Sequence, residues 1–314
     1  MAHRRRALHF VYAAVALVVA GAVTTGAYVA QADTNGSSKR LVVYDNNMEN
    51  LAPCNGNDYT KLLSYMKKQD KSPDILTIQQ VSNAKQLKNL TARLSHDLPG
   101  TFAGTIAVAN PGSMGYKDGC KTRKNQQTNA IIYRTGRLAA KRTVRWRSDA
   151  PANPTHGTGP CRNLDPTSSS QDRVENVAVK FYDKVSHKHV SVASIHWPTA
   201  KWNGPKCAHE NIRETKEALN GLGGSLEIFG GDTNATTPQK DWWTRARGYG
   251  FRDPIAEKCG HRVCSERYDT IGKRRIDHIM AKSAGGFGHV ENITYGMAGG
   301  KYSNHRSVTA YVTY

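Results

Sequence analysis

The sequence is poor in acidic and apolar residues and contains no internal repeat. Only 25 residues are Asp or Glu, against 44 Lys and Arg, so the formal net charge is +19. The hydrophobic fraction of 38% is low but sufficient for the core of one large domain. The shortage of acids predicts a polyanionic partner, which includes nucleic acid, an anionic membrane and an acidic polysaccharide. Solubility alone is the other explanation of such a surface.

One long apolar stretch lies near the N-terminus. Three arginines, Arg4–Arg6, precede residues 7–30, which are nearly all apolar or small, and Ala30 and Ala32 provide the small residues that a signal peptidase reads. We therefore expect a signal peptide over residues 1–32, a polar linker over 33–39, one domain over 40–314 and a secreted, extracellular protein. The stretch is also long enough to span a bilayer, so an uncleaved anchor is the alternative.

Cysteines are few, and all of them follow the predicted cleavage site. They are Cys54, Cys120, Cys161, Cys207, Cys259 and Cys264. Their even number and the oxidising compartment implied by export predict disulfides, of which only the pair of Cys259 with Cys264 is suggested by proximity. A zinc site around His261 is disfavoured because no second ligand pair lies at a suitable spacing.

Short β-rich runs alternate with helical patterns along the rest of the chain. The predicted strands are Leu41–Asn47, Ile75–Val81, Asn129–Arg134, Val174–Tyr182, Val190–Trp197, Leu226–Gly231, Arg275–Ala281 and Ser307–Tyr314. The predicted helices are Asp58–Gln69, Asn83–Leu98, His209–Leu222 and Gln239–Arg247. Residues 103–128 and 147–172 are rich in turn-forming and polar residues and are predicted to be long loops. This order predicts an α/β fold in which two mixed sheets pack together with helices outside.

Several strands end in side chains that can bind a metal or a phosphate. The groups, in chain order, are Asn47, Ile78-Gln79-Gln80, His196, Gly231-Asp232-Thr233-Asn234, Arg275-Ile276-Asp277-His278-Ile279 and Ser303-Asn304-His305. One histidine at a strand end, or one Gly-Asp pair, is more often a solvated side chain or a turn. Six such groups in succession indicate one site at an edge of the sandwich.

This series resembles the endonuclease/exonuclease/phosphatase superfamily, whose members show a first-strand Asn, "LQE", a strand-end His, "GDFN", "RIDYI" and "SDH". The superfamily includes deoxyribonucleases, abasic-site endonucleases, bacterial sphingomyelinases and inositol polyphosphate phosphatases. The match runs from about residue 40 to the C-terminus. The resemblance implies a four-layer α/β sandwich that hydrolyses a phosphate ester with Mg²⁺ or another divalent ion, such as Mn²⁺ or Ca²⁺.

Phosphodiester hydrolysis needs charge neutralisation, a positioned water and a proton for the leaving oxygen. Asp232 is the candidate for holding or deprotonating the water, and Asn234 is the candidate donor to a phosphate oxygen. Asp277 would orient His305 as an imidazolium. His196 would stabilise the pentacovalent charge or protonate the leaving group. The division of acid and base roles between the two histidines stays open.

The chain departs from the family pattern at two metal-binding positions. With Asn47, the candidate metal-binding residues are Gln80, where the family has Glu, and Asn304, where it has Asp. Because divalent cations such as Mg²⁺ favour carboxylates, we expect a weakened or unusual metal requirement. A non-catalytic relative that binds polyanions is the alternative.

The charge of the loops favours a monomeric nuclease that acts on DNA or RNA, with endonuclease activity as the expected form. Arg123, Lys124, Arg274 and Arg275 are the candidate substrate-binding residues, because such side chains contact phosphates along a nucleic-acid backbone. The main alternative is a sphingomyelinase or phospholipase C that acts on anionic or other membrane lipid. Such an enzyme requires exposed apolar or aromatic side chains that enter the lipid interface. No hairpin tipped with adjacent aromatic residues stands out in the sequence.

Overall fold

The computed structural model describes residues 40–49, 56–112, 126–148, 169–200, 204–237, 241–260, 264 and 268–314. All of these belong to one compact unit. The predicted signal peptide and linker lie outside the described residues. Within the described ranges, no helix has the length and apolar character needed to cross a membrane.

Twelve strands of the described chain form two mixed six-stranded sheets. The first sheet contains β1 (Arg40–Asn47), β2 (Ile75–Val81), β3 (Phe102–Ile106), β4 (Thr128–Arg134), β11 (Gly286–Ile293) and β12 (Ser307–Thr313), in the spatial order β11-β12-β1-β2-β4-β3. The second contains β5 (Leu138–Arg147), β6 (Glu175–Asp183), β7 (Lys188–His196), β8 (Leu226–Asp232), β9 (Phe251–Arg252) and β10 (Asp277–Lys282), in the order β5-β6-β7-β8-β10-β9. One parallel pair occurs in each sheet, β1 with β2 and β7 with β8.

Helices cover the outer face of each sheet. The helices are α1 (Thr60–Lys67), α2 (Ala84–Asp97), α3 (Gly204–Leu222), α4 (Trp242–Gly248), α5 (Pro254–Lys258) and α6 (Tyr295–Ala298). Leucines of α1 and α2 pack on outward side chains of β1, β2 and β4, while α3 and α4 pack on β7 and β8. In α2, the side chain of Asn83 caps the first turn by accepting from the Gln86 amide, and Leu87, Leu90 and Leu94 form the buried face. The predicted four-layer α/β sandwich is therefore confirmed.

The space between the sheets is filled by alternate residues of the strands. Leu41 and Val43 of β1 meet Val192 of β7 and Ile228 of β8 in one apolar cluster. Because side chains alternate between the two faces of a strand, every second residue continues this inner face. Toward one end of the sandwich the inner-facing residues change from apolar to polar: Asp45 and Asn47 on β1, Thr77 and Gln79 on β2, Ser194 and His196 on β7, Asp232 on β8 and Asp277 on β10.

The predicted strands are all present, but four others were missed. β3 overlaps the stretch predicted to be a loop, and neither β5, the two-residue β9 nor β11 was expected. β5 is an edge strand in which most residues are at least partly exposed, so it lacks an apolar alternation. β11, also an edge strand, contains two glycines and an irregular register. Helix α3 also begins five residues before the predicted start, at Gly204 rather than His209.

The predicted pairing of Cys259 with Cys264 is confirmed, and Cys207 is also disulfide-bonded. Cys54, Cys120, Cys161 and the disfavoured zinc ligand His261 lie outside the described residues.

Candidate functional site

Strand register brings three predicted site residues side by side. His196 of β7 lies opposite Asp232 of β8, and Asp277 of β10 lies opposite Asp232 on its other side. Neighbouring strands are about 4.8 Å apart, so three adjacent side chains on the same face necessarily interact. The Nε2 atom of His196 is 3.5 Å from Oδ2 of Asp232. All three residues are at most 2% exposed, which makes this a buried polar centre at the end of the apolar core.

The first sheet adds an imidazole to this centre. His305 stands two residues before β12, and its Nδ1 atom lies 2.9 Å from Oδ2 and 3.0 Å from Oδ1 of Asp277. The same nitrogen is 3.9 Å from Oδ2 of Asp232. The backbone of His305 is held because its amide donates to Ser303 Oγ and its carbonyl accepts from Asn46 Nδ2. Asp277 therefore orients the imidazole ring of His305.

Both carboxylate oxygens of Asp232 are fixed by asparagines. Nδ2 of Asn47 donates to Oδ2 at 3.1 Å, and the amide of Asn234 donates to Oδ1 at 2.8 Å. Nδ2 of Asn234 also donates to the Trp197 carbonyl at 2.8 Å. Among the described residues, Trp197 is the one acceptor of the Asn234 side-chain amide. The structure thus brings Asn47, Asn234, His196, Asp277 and His305 around Asp232.

Two glycines let β8 approach its neighbours closely enough to build the centre. A Cβ on Gly230 would lie 2.1 Å from Oγ1 of Thr77 in the other sheet, and a Cβ on Gly231 would lie 2.0 Å from the Ile195 carbonyl. Gly231 also has φ of +157°, a conformation that side chains disfavour. The "GGD" sequence therefore sets the close packing that buries Asp232.

The buried charges shift the proton affinities of the site in opposite directions. Burial, reinforced by the negative charge of Asp277, raises the pKa of Asp232 to about 6. Burial alone lowers the pKa of His305, but the charge and hydrogen bond of Asp277 outweigh burial and raise that pKa to about 9. Burial holds the pKa of His196 well below its usual value, with the charges of Arg173 and His305 acting in the same direction. Near pH 7 the site therefore combines an ionised Asp232, a cationic His305 and a neutral His196.

One buried carboxyl group behind this centre belongs to a predicted strand but was given no role from the sequence. Asp45 is fully buried, and its Oδ1 accepts from Thr77 Oγ1 at 2.7 Å and from Gln79 Nε2 at 2.9 Å. Burial, with the charge of Asp277, raises the pKa of Asp45 well above its usual value. A neutral carboxyl group here supports the centre without adding another negative charge.

Two predicted metal-binding residues are occupied by other contacts. The side-chain oxygen of Gln80 accepts from Gln127 Nε2 at 3.2 Å. Asn304 donates through its backbone amide and its Nδ2 to the carboxylate of Glu49, at 2.8 and 2.7 Å. Glu49 was not recognised from the sequence: it lies two residues beyond the end of β1 with φ of +46°, where the alternation of the strand no longer applies.

The predicted substrate-binding arginines separate into two groups. Arg274 is exposed beside the start of β10. Arg275 is partly buried, and its guanidinium donates to both oxygens of Asp253, at 3.1 and 2.8 Å. Arg123 and Lys124 lie outside the described residues. Arg173, which was also missed, places its positive charge close enough to act on His196.

Comparisons with known proteins identify the fold. No protein-family model matches the sequence, and no curated protein matches it either. Among solved structures, an endonuclease/exonuclease/phosphatase from Bacteroides vulgatus has a TM-score of 0.59 at 16% identity, with 87% of this chain and 98% of that chain covered. A D. rerio TDP2 complexed with single-strand DNA product has a TM-score of 0.58 at 16% identity, with coverage of 88% and 99%. A mannosyl-6-phosphatase from Bacteroides thetaiotaomicron has a TM-score of 0.57 at 18% identity, with coverage of 87% and 100%.

These likenesses extend over nearly the whole of each neighbour. The chain therefore has the α/β sandwich fold of the endonuclease/exonuclease/phosphatase superfamily, as the order of the motifs predicted. At such low sequence identity the likeness concerns the fold, and the chemistry has to be argued from the side chains of the site.

Proposed function

We propose that this protein is a metal-assisted phosphodiesterase that hydrolyses nucleic acid. The observation that carries the proposal is the buried centre formed by Asp232, Asp277 and His305. Each of these residues places one possible ligand atom within 4.8 Å of the other two. His196 adds a second imidazole from the adjacent strand. Two carboxylates and two imidazoles at one buried point provide acid, base and phosphate-binding groups together.

The proton affinities suggest a division of roles. Asp232, with a pKa of about 6, accepts a proton from the attacking water as the new phosphorus–oxygen bond forms. His305, with a pKa of about 9, carries the proton that neutralises the leaving oxygen as the old bond breaks. His196 is neutral and donates a hydrogen bond to the phosphate oxygens, beside the side-chain amide of Asn234. This assignment makes His305 the acid, a choice that the sequence left open.

The centre fits a divalent cation. Its two carboxylates outnumber its one imidazolium, and the side chain of Asn47 adjoins Asp232 and carries one more oxygen, so hard oxygen ligands predominate. Asp232 and Asn47 are the residues that would hold the ion, and Mg²⁺ is the proposed species. When bound, such an ion neutralises phosphate charge and acidifies water. Gln80 and Asn304 are neutral and already hydrogen-bonded, which favours a weakened site.

Charge and surface favour a nucleic-acid substrate over a lipid. The net charge of +19 suits a polyanion, and one structural neighbour was solved with a single-strand DNA product. In the described part of the chain, the exposed large hydrophobic residues are Val185 and Met297 alone. Trp197 and Trp242 are fully buried, so they are not available to enter a membrane. Phosphodiester cleavage within a strand, as by an endonuclease, is the specific form of the proposal.

The strained backbone at the site favours an active enzyme over a passive polyanion binder. Glu49, Gln80 and Asn234 have φ values of +46°, +57° and +48°, although none is glycine. Such conformations cost on the order of 1 kcal/mol or more each and cluster at functional sites. A surface that only attracts polyanions requires neither strain nor a buried carboxylate centre.

We also propose that the protein is secreted and acts outside the cell as a monomer. The signal-like residues 1–32 and the disulfides of Cys207 and of Cys259 with Cys264 support an oxidising destination. N-terminal sequencing of protein recovered from the culture medium tests this, because secretion with cleavage predicts a chain beginning near Asp33.

A plasmid assay tests the activity. The purified protein is incubated with supercoiled DNA in EDTA and in Mg²⁺, Mn²⁺ or Ca²⁺, beside His305→Ala, His196→Ala and, as a matched control outside the site, His289→Ala. We expect metal-stimulated nicking by the wild type and the control, and a loss of at least about 100-fold in both site variants. Absence of nicking with every metal contradicts the nuclease proposal. Hydrolysis of sphingomyelin or phosphatidylcholine by the same samples would then identify a lipid phosphodiesterase.

A further inference from the structure

Glu49, just beyond the end of β1, presents a carboxylate that is held by neutral donors. Its Oε2 accepts from the Asn304 amide at 2.8 Å and from Asn57 Nδ2 at 2.9 Å, and its Oε1 accepts from Asn304 Nδ2 at 2.7 Å. Within the described ranges, no Lys or Arg forms a salt bridge with it. The amide groups thus fix the position of the carboxylate without neutralising its charge.

Asn47 connects this residue to the centre. The Glu49 amide donates to Oδ1 of Asn47 at 3.2 Å, and Nδ2 of the same Asn47 donates to Oδ2 of Asp232 at 3.1 Å. One asparagine side chain therefore bridges the two acidic residues. Its oxygen faces the backbone of Glu49 and its nitrogen faces Asp232. The Glu49 carboxylate itself is hydrogen-bonded to Asn304, the residue before His305, whose Nδ1 atom lies 3.9 Å from Oδ2 of Asp232.

A second, independent feature marks the centre beside Asp232 as a ligand site. His196 is fully buried, and neither of its ring nitrogens has a hydrogen-bond partner in the described part of the chain. One of these nitrogens faces Asp232 at 3.5 Å. Buried polar atoms are normally satisfied, so an imidazole left this way at a carboxylate indicates that a bound group completes the site.

We infer that Glu49 supplies a second anionic oxygen to the divalent-metal site, in addition to that of Asp232, and that Asn304 is a positioning residue which holds Glu49 rather than a metal ligand. The inference rests on the proposed metal-assisted function. The side chains of Gln80 and Asn304 are neutral, so neither can supply a carboxylate to the metal. Glu49, two residues beyond the end of β1, can supply it instead. Because a Glu carboxylate binds hard cations far better than an amide oxygen does, removing its charge should weaken metal binding directly.

The competing explanation is that Glu49 only stabilises the segment before β12, through its hydrogen bonds to Asn304. In that case its hydrogen bonds to Asn304 stabilise the fold, and metal affinity is indifferent to its charge. The two explanations differ in what Glu49→Gln changes. If Glu49 is only structural, Glu49→Gln lowers the unfolding temperature in EDTA. If Glu49 is a metal ligand, the substitution lowers the affinity for the ion.

Mn²⁺ binding to the full chain, measured by calorimetry and by the Mn²⁺ paramagnetic resonance signal without substrate, decides between them. We expect the dissociation constant to rise at least about tenfold in Glu49→Gln and to rise less in Asn304→Ala and Glu49→Asp. It should stay unchanged in Glu217→Gln, a half-exposed control on α3. An unchanged dissociation constant in Glu49→Gln, or no Mn²⁺ binding by the wild type, overturns the inference. If Glu49→Gln does not fold, Glu49→Asp and Asn304→Ala carry the same test.

The plasmid assay separates this inference from the proposed function. Mn²⁺ binding that depends on Glu49, together with absence of nicking, refutes the nuclease activity and leaves the assignment of Glu49 intact. Metal-stimulated nicking with an unchanged Mn²⁺ dissociation constant in Glu49→Gln supports the nuclease activity and refutes the assignment of Glu49.

Discussion

The pairing of Asp277 with His305 makes a quantitative prediction about the pH dependence of catalysis. Raising the pKa of His305 from 6.5 to about 9 corresponds to about 3 kcal/mol in favour of the imidazolium. In Asp277→Asn the hydrogen-bond acceptor remains but the charge is lost, so this pKa should fall toward 6.5, because burial opposes protonation while the charges of Asp232 and Glu49 still favour it. At pH 8 the imidazolium fraction then falls from about 90% toward about 3%, which predicts an activity loss of up to about 30-fold from protonation alone. At pH 6 the loss should be far smaller.

The acidic limb of the profile should move as well. Burial and the charge of Asp277 together raise the pKa of Asp232 to about 6, so the same substitution lowers that pKa. The wild type should thus show an alkaline limb near pH 9, and Asp277→Asn an alkaline limb displaced to lower pH. A cation held by Asp232 favours its carboxylate, so with metal bound the acidic limb should lie below pH 6 in both proteins. Values of kcat/KM on a labelled oligonucleotide measure these limbs for the free enzyme.

A stability measurement checks the same linkage without turnover. Because the folded state raises the pKa of His305, its stabilising contribution is complete below pH 6.5 and is lost as the pH rises through about 9. Denaturant titrations should show this loss in the wild type and not in Asp277→Asn. Asp183→Asn, which removes a buried carboxylate paired with Arg137 outside the site, should lower stability without moving either limb. Equal activity losses at pH 6 and pH 8 in Asp277→Asn, with the alkaline limb still near 9, would refute the reasoning.

Three further predictions concern the glycine, the asparagine amide and the surface charge. Gly231→Ala should lower the unfolding free energy by about 3 kcal/mol or more, measured by calorimetry, because its Cβ would lie 2.0 Å from the Ile195 carbonyl. Asn234→Ala should reduce kcat on an oligonucleotide by roughly 10²-fold while leaving Mn²⁺ affinity nearly unchanged, and an equal loss of both would contradict its role as a phosphate donor. Raising NaCl from about 50 to about 200 mM should weaken DNA binding by about tenfold or more in filter-binding assays, with a shallower slope in Arg274→Ala; a flat response would argue against polyanion binding.

The order of polar groups along the chain was enough to predict which residues lie together at one end of the sandwich. Six such groups in succession, and the family resemblance that they carry, pointed to His196, Asp232, Asp277 and His305. Strand register places the first three on adjacent strands. The two-residue period of strands missed the edge strands β3, β5 and β11, because an exposed or glycine-rich edge carries little alternation.

The partners of the individual side chains follow instead from how the strands and loops pack. The contacts of Glu49 with Asn304, of Gln80 with Gln127 and of Arg275 with Asp253 join residues that are distant in sequence or separated by loops whose course no local pattern specifies. Proton affinities are likewise set by burial and by charges on neighbouring strands, which is why the choice between His196 and His305 as acid depends on the three-dimensional arrangement. The periodicity of a sequence indicates the face of a strand on which a residue lies. Which side chains contact each other depends on how separate strands and loops pack, and this packing is a property of the whole chain.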